Sequence, residues 1–174
     1  DNNAQVCIMA PTEILSEQHF TSFKKYCDLV GIKSALLTGS KKEKEKKDIY
    51  KKLKNGEIEL IVGTHALIQE GVEFKELGLI VIDEAYIDFS KQQSWLNRLE
   101  EFPNLIITQT LSKAYGMAGI RLGICYASKE IISILNRIKP PYNVNQLTQQ
   151  KAISRLSDLK QIRHQVADIL VERE

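Results

Sequence analysis

The residue types that could do chemistry gather at a few points of this 174-residue sequence. Asp83 and Glu84 stand together at the end of an apolar run, and Ser112-Lys113 is followed by Arg121. Thr12, after Pro11, opens a helix-like pattern, and a helix N-terminus is an anion site by virtue of its unpaired N–H groups. Other arrangements fail on spacing. Gly116, Gly119 and Gly123 do not have the intervals of a dinucleotide fingerprint. Thr38-Gly39-Ser40-Lys41 lacks the residue order and the upstream glycine of a Walker A loop. His19, His65 and His164 are scattered, none at a metal-ligand interval, so no metal site is expected. Cys7, Cys27 and Cys125 are odd in number, far apart and set in apolar patterns. They read as buried thiols of a reducing, cytoplasmic compartment rather than as a disulfide framework or a zinc site.

These residues need elements to position them. Short apolar runs predict strands near 5–9, 34–37, 59–62, 79–82, 104–108 and 121–127. Thr12 is the expected N-cap of a helix that Gly31 ends. A charged helix is expected over 41–54, stopped by Asn55-Gly56, with a helical turn inside 63–71. Helices follow at 90–101, from Ser128 to the Pro140-Pro141 stop, over 145–156 and over 157–173. The last places Leu159, Ile162, Val166, Ile169 and Leu170 on one face. Alternating strands and helices with near-continuous apolar strand cores predict a single three-layer αβα domain. Its sheet should have about six mostly parallel strands and one antiparallel strand, with helices on both faces.

Composition limits the function classes. With 43% hydrophobic and 26% charged residues the chain can bury a core, and no apolar run is long enough to span a membrane. The net charge of +2 predicts no strong nucleic-acid or membrane field. The start, Asp1-Asn2-Asn3-Ala4, has neither a signal-peptide pattern nor an initiator Met, so the chain reads as a piece of something longer. Residues 1–84 carry 12 Lys, no Arg and 14 acids; residues 85–174 carry 6 Lys, 6 Arg and 8 acids. All the arginine thus lies in the second half. The lysines of 41–54 are interleaved with Glu43, Glu45 and Asp48, which reads as a solvated helix face.

Two blocks carry resemblances. The first comprises Met9-Ala10-Pro11-Thr12-Glu13-Ile14-Leu15-Ser16-Glu17-Gln18-His19, Leu36-Leu37-Thr38-Gly39-Ser40, Val62-Gly63-Thr64-His65-Ala66-Leu67-Ile68 and Val81-Ile82-Asp83-Glu84. Over residues 1–84 it resembles the first motor domain of RecG-type superfamily 2 DNA helicases. The resemblance implies that Thr12, Thr64 and His65 would lie against a nucleic-acid backbone. It also implies a metal-holding role for Asp83 and a water-polarising role for Glu84. Two features depart from that family: there is no Walker A loop, and Ala85-Tyr86 follows the acid pair in place of Gln-His. ATP cannot be positioned without its phosphate cradle, so no ATPase or helicase activity is expected.

The second block is Val81-Ile82-Asp83-Glu84-Ala85-Tyr86-Ile87-Asp88-Phe89, then Thr110-Leu111-Ser112-Lys113-Ala114-Tyr115-Gly116-Met117-Ala118-Gly119-Ile120-Arg121-Leu122-Gly123, then Lys139-Pro140-Pro141-Tyr142-Asn143-Val144-Asn145. Over 79–174 it resembles histidinol-phosphate aminotransferase, a fold-type I pyridoxal-phosphate enzyme. The resemblance makes Lys113 the catalytic, cofactor-bonded lysine and pairs Asp83 with the pyridinium nitrogen. It gives Tyr86 the cofactor's phenolic oxygen and sets Ser112 and Arg121 on its phosphate. The family's glycine-rich phosphate turn and ring-stacking aromatic should precede the Asp strand, where this sequence is helicase-like instead.

The reading is a chimera joined at Ile82-Asp83-Glu84, with a helicase-like half over 1–84 and an aminotransferase-like half over 85–174, folded as one α/β domain. Its expected function is that of a recombined scaffold with no complete active site and no turnover. No tightly bound cofactor is expected. The alternative is residual pyridoxal-phosphate binding at Lys113, and the third reading is nucleotide or nucleic-acid binding. Expected partners are neither membrane nor DNA; a homodimer through the aminotransferase-like half is the partner the resemblance implies.

Overall fold

The structure, a computed structural model, describes residues 4–173; Asp1-Asn2-Asn3 and Glu174 lie outside them. In chain order it contains β1 (Gln5–Met9), α1 (Glu13–Val30), β2 (Ser34–Leu37), α2 (Glu43–Lys54), β3 (Leu60–Gly63) and β4 (Leu77–Asp83). Then come β5 (Leu105–Thr110), β6 (Gly123–Ala127), α3 (Lys129–Ile138), α4 (Gln146–Leu156) and α5 (Leu159–Arg173). Short 3-10 segments sit at His65–Ile68, Ile87–Phe89, Trp95–Glu101 and Ala118–Ile120. The strands form one sheet in the order β2-β3-β1-β4-β5-β6, mostly parallel with one antiparallel pair. This is the α/β class and the mixed six-stranded sheet that the sequence predicts. By internal packing the described residues divide into two compact units, one of residues 4–83 with 104–106, the other of 84–103 with 107–173.

In the first unit the pleat sorts side chains to two faces. Cys7, Leu37 and Ile61 join Leu53 and Ala66 in one cluster, against Ile49 and Tyr50 of α2. Ile8, Leu60 and Val62 join Cys27 of α1 in the other, with Phe20 packed on it. Each face is thus covered by a helix, which is why β1 and β3 read as unbroken apolar runs rather than as alternating ones. The helix ends follow capping chemistry. Thr12 accepts the Leu15 N–H at 3.2 Å, and Gly31 takes the left-handed conformation at φ 77°. Gln5, the first residue of β1, is almost fully buried. Its amide donates to the Leu53 and Ile58 carbonyls at 3.0 and 2.7 Å and accepts the Lys75 and Glu76 N–H groups at 2.8 and 3.1 Å. A buried polar side chain is tolerable because all four bonds are made.

In the second unit, the Leu111 N–H donates to the Leu122 carbonyl at 3.2 Å, and a Cβ on Gly123 would stand 3.4 Å from the Gln109 carbonyl oxygen. Partners that rise in number on one strand and fall on the other mark β5 and β6 as the antiparallel pair. Ser128 caps α3 and Asn145 caps α4 through their side-chain oxygens. Ile162 is buried on α5, whereas Leu159 and Ile169, expected on the same face, are about half exposed. A 3.6-residue period carries 169 to the margin of the face that 162, 166 and 170 centre, while Leu159 is the first residue of the helix.

Three local expectations are corrected. The 90–101 helix is only a 3-10 segment from Trp95, because the Trp95 N–H that would continue a helix inward is bound by the Glu84 carboxylate at 2.7 Å. The last strand begins at Gly123 rather than 121, because Arg121 is left-handed at φ 54°, a conformation no strand residue holds. Cys125 is exposed, not buried. It lies on β6, the last strand in the sheet order, where alternate side chains are uncovered.

Candidate cofactor site

Asp83 closes β4, so its carboxylate leaves the sheet at the C-terminal end of a parallel strand, the usual ligand edge of such sheets. There its Oδ2 lies 3.1 Å from Nε2 of His19 on α1, a residue of the same unit. The pair is partly shielded, with 16% of the Asp83 side chain and 36% of the His19 side chain exposed. No sequence signal pairs residues 64 positions apart. The signal lies in the strand order, since β1 is hydrogen-bonded beside β4 and α1 follows β1 directly.

Glu84 belongs to the second unit and is 5% exposed. Its carboxylate accepts from the Ser94 hydroxyl at 2.6 Å, the Trp95 N–H at 2.7 Å and the Gln109 side-chain amide at 2.9 Å. Three donors on one anion make its burial favourable. They also commit it to holding a loop, a different use from the water-polarising one that the helicase resemblance implies. Ser94 and Gln109 are partners that sequence reasoning missed, since an ordinary Ser and Gln carry no pattern. In the same unit, burial raises the Asp88 carboxyl, and the charge of Glu84 adds to the rise. Burial likewise raises the Tyr115 phenol, with Asp88 and Tyr126 contributing.

Lys113 and Tyr86, both of the second unit, are brought together, with Nζ 4.9 Å from the ring centroid. An ammonium at that range is held by the ring quadrupole while the side chain stays exposed. Lys113 sits in a loop built by its own backbone. Gly116 N–H donates to the Lys113 carbonyl and Met117 N–H to the Leu111 carbonyl, both at 2.9 Å. The Leu111–Leu122 bond closes its base, so Ser112-Lys113 and Arg121 stand at the two ends of one loop. The Ser112 N–H is fixed by the Thr110 hydroxyl at 3.1 Å. Arg121 is exposed, and its Nη1 donates to the Ala118 carbonyl at 3.1 Å. Amine, hydroxyl and guanidinium on one loop fit a phosphate-bearing aldehyde; Asp83 belongs to the other unit, where His19 lies against it.

The residues read as nucleic-acid contacts share one end of the first unit. Ala10 N–H donates to the Gly63 carbonyl at 2.8 Å, tying the ends of β1 and β3, from which Thr12 and Thr64 emerge. Thr12 and Thr64 are both caps; Thr64 is buried and its hydroxyl takes the Ala66 N–H at 3.5 Å. His65 is exposed. Among the described residues no group of three or more His, Cys, Asp or Glu is placed to hold a metal ion.

Comparison with known proteins accounts for both halves. The family model for aminotransferase class I and II matches residues 62–171, and that for the helicase conserved C-terminal domain matches residues 1–99. The chain belongs to both families. The two matches overlap across the segment that contains Asp83 and Glu84. The histidinol-phosphate aminotransferase of Flavobacterium johnsoniae is 68% identical over 97 residues, covering 56% of this chain and 28% of that protein. The chain thus spans about a quarter of the length of the curated relatives it matches. Among solved structures, the histidinol-phosphate aminotransferase of Clostridium acetobutylicum matches over 94% of this chain and 51% of its own at 19% identity, TM-score 0.51. That of Sinorhizobium meliloti in complex with pyridoxal-5'-phosphate matches over 94% and 47% at 16% identity, TM-score 0.54. These likenesses concern the fold.

Proposed function

We propose that this chain is a recombined α/β scaffold without turnover, which keeps a residual pyridoxal-phosphate site on the loop that carries Lys113. The observation that carries the proposal is the state of the two acids at the joint. Asp83 is engaged by His19, and Glu84 by Ser94, Trp95 and Gln109. Acids committed to internal hydrogen bonds hold structure instead of turning over a substrate. Lys113, by contrast, is exposed, and the aromatic face beneath it is the same Tyr86 that the aminotransferase resemblance sets on the cofactor.

The cofactor supplies an aldehyde for the lysine and an electron-withdrawing ring. Lys113 would contribute its amine, and Ser112 and Arg121 would hold the phosphate. The test is incubation with pyridoxal phosphate, borohydride reduction and peptide mapping. Labelling confined to Lys113, with no transamination of histidinol phosphate, is the expected result. Labelling spread over many lysines would defeat the residual site, and sustained transamination would defeat the scaffold.

The narrower source of the first half, a RecG-type first motor domain, is supported by the motifs at 9–19 and 62–68. The matching family is described as the helicase conserved C-terminal domain. The proposal does not extend to DNA binding, because the Thr12 and Thr64 oxygens are committed to capping their own helices. A single α/β domain, a homodimer through the aminotransferase-like half and a cytoplasmic setting complete it. The dimer is supported by Ile138, Tyr142 and Leu147, all strongly exposed, and sedimentation of the purified chain as a monomer at high micromolar concentration would refute it. Among the described residues no helix is long and apolar enough to cross a membrane.

A further inference from the structure

Gly116 and Arg121 are the two left-handed residues of the Lys113 loop, at φ 67° and 54°. Glycine holds such a conformation freely, whereas arginine does so only where its surroundings impose it. Helix α4, of the same unit, grips the peptide group in front of each. The Arg155 Nε donates to the Tyr115 carbonyl at 3.1 Å, and the Thr148 hydroxyl donates to the Ile120 carbonyl at 3.5 Å. Each carbonyl belongs to the planar peptide unit that immediately precedes a left-handed residue, so holding it restrains that residue's φ. Thr148, Ala152 and Arg155 recur at helical spacing on one face of α4, with Thr148 and Ala152 buried. The two gripping residues stand about 10 Å apart along the helix axis. The Arg155 fork is itself seated by α5, where Nη1 donates to the Gln161 side chain at 2.6 Å and Nη2 to that of Gln165, one turn further on.

We propose that Arg155 and Thr148 are positioning residues: they clamp the two turning points of the Lys113 loop, and so keep the Arg121 guanidinium at a fixed reach from the Lys113 amine. This rests on the reading of Lys113 given above. An aldehyde that also bears a phosphate is held at two points, and the second contact strengthens the first only where the two groups stand at the right separation. The Arg155 donors are directed at the chain's own oxygens, so this residue acts through the loop and not on the ligand. Without the clamp Lys113 keeps its amine while Arg121 loses its place, and only the phosphate-dependent part of binding is lost.

The test uses Arg155→Met, which keeps the stem and removes the donors, and Thr148→Val, which keeps the shape and removes the hydroxyl. Borohydride trapping at Lys113 is titrated with pyridoxal phosphate and with 5'-deoxypyridoxal, which keeps the ring and aldehyde and lacks the phosphate. Each variant should weaken pyridoxal phosphate by about tenfold, the worth of one hydrogen bond to a charged group, and leave the deoxy compound within about twofold. Thr148→Ser, which restores a hydroxyl, should recover the wild-type ratio. A ligand-free readout is hydrogen exchange at the Gly116 and Met117 N–H groups, which close the loop on the Lys113 and Leu111 carbonyls and should exchange about tenfold faster in both variants. Should Arg155→Met fail to fold by circular dichroism, Arg155→Lys, which keeps the charge but not the fork, takes its place. Equal losses for the two aldehydes, an unchanged ratio, or unchanged exchange at Gly116 and Met117 would overturn the clamp and leave the Lys113 reading standing. Absence of Lys113 labelling by pyridoxal phosphate in the wild-type chain would overturn that reading and the positioning role with it.

Discussion

At the scale of single residues, the joint acids divide the work of the site and make the sharpest stability prediction. Removing the Glu84 carboxylate leaves the Ser94 hydroxyl, the Trp95 N–H and the Gln109 amide without their acceptor. Hydrogen bonds to a charged group contribute about 1.5–3 kcal/mol each, and the orphaned donors can regain only a fraction of that from water. Glu84→Ala should therefore cost about 3 kcal/mol or more in urea denaturation, and Glu84→Gln clearly less, since it keeps one acceptor oxygen. Equal losses for both variants would mean that packing, not the acceptor, matters there. Asp88 gives a pH test. Burial and Glu84 raise its folded carboxyl above the ordinary value, so the folded state prefers its protonated form. The stability linked to that proton is present below the unfolded value and is lost as pH rises through the folded one. Asp88→Asn should accordingly raise the melting temperature at pH 7 and leave it unchanged near pH 3, about a unit below the ordinary carboxylate value. Neither effect is legible in the sequence. Lys113, Ser112 and Arg121 announce themselves through motif spacing, whereas the partners of Asp83 and Glu84 come from elsewhere in the chain.

Elements are far more readable than their partners, and the reasons are local. Thr12, Gly31, Ser128 and Asn145 sit where capping chemistry wants them, and all four act as caps. Apolar runs mark the strands because both faces of the first unit's strands are covered. The misreadings fall where tertiary contacts or backbone conformation override local preference, at Trp95 and Arg121. Two glycines separate the kinds of constraint an element imposes. Gly63 ends β3, and a Cβ there would lie 2.1 Å from the Leu37 carbonyl oxygen, a backbone atom of paired β2. Gly116, in the Lys113 loop, has φ +67°, and a Cβ added to it would meet no atom within 4 Å. Gly63→Ala must force β3 away from β2 and should prevent native folding, read as loss of soluble, cooperatively melting protein. Gly116→Ala carries only the left-handed backbone penalty, about 1–2 kcal/mol, and should still accept borohydride-trapped pyridoxal phosphate at Lys113.

The whole molecule poses the question of cooperativity, because the sheet of a chain from two families is assembled from two sources. Strand β5 is the decisive piece. Its start belongs to the first unit and its remainder to the second. In the first unit Ile80 N–H donates to the Asn104 carbonyl at 3.0 Å, and in the second Glu84 N–H donates to the Thr108 carbonyl at 2.8 Å. Both bonds have the same residue offset, and each lies within its own unit. Backbone groups unpaired by the melting of a neighbouring strand are costly wherever they stay buried. The single-domain reading proposed above predicts that the chain unfolds in one transition. Local probes make this testable. Trp95 reports on the second unit by fluorescence. Cys7 and Cys27 report on the first through their buried thiols. Burial also pushes the Cys7 thiol up to about 12, so it stays unreactive at mildly alkaline pH until the unit opens. Fluorescence and thiol-labelling curves in urea should superimpose, and Glu84→Ala, a change in the second unit, should shift both by the same amount. A thiol curve that stays in place while the Trp95 curve moves would show two independent domains that merely share a strand.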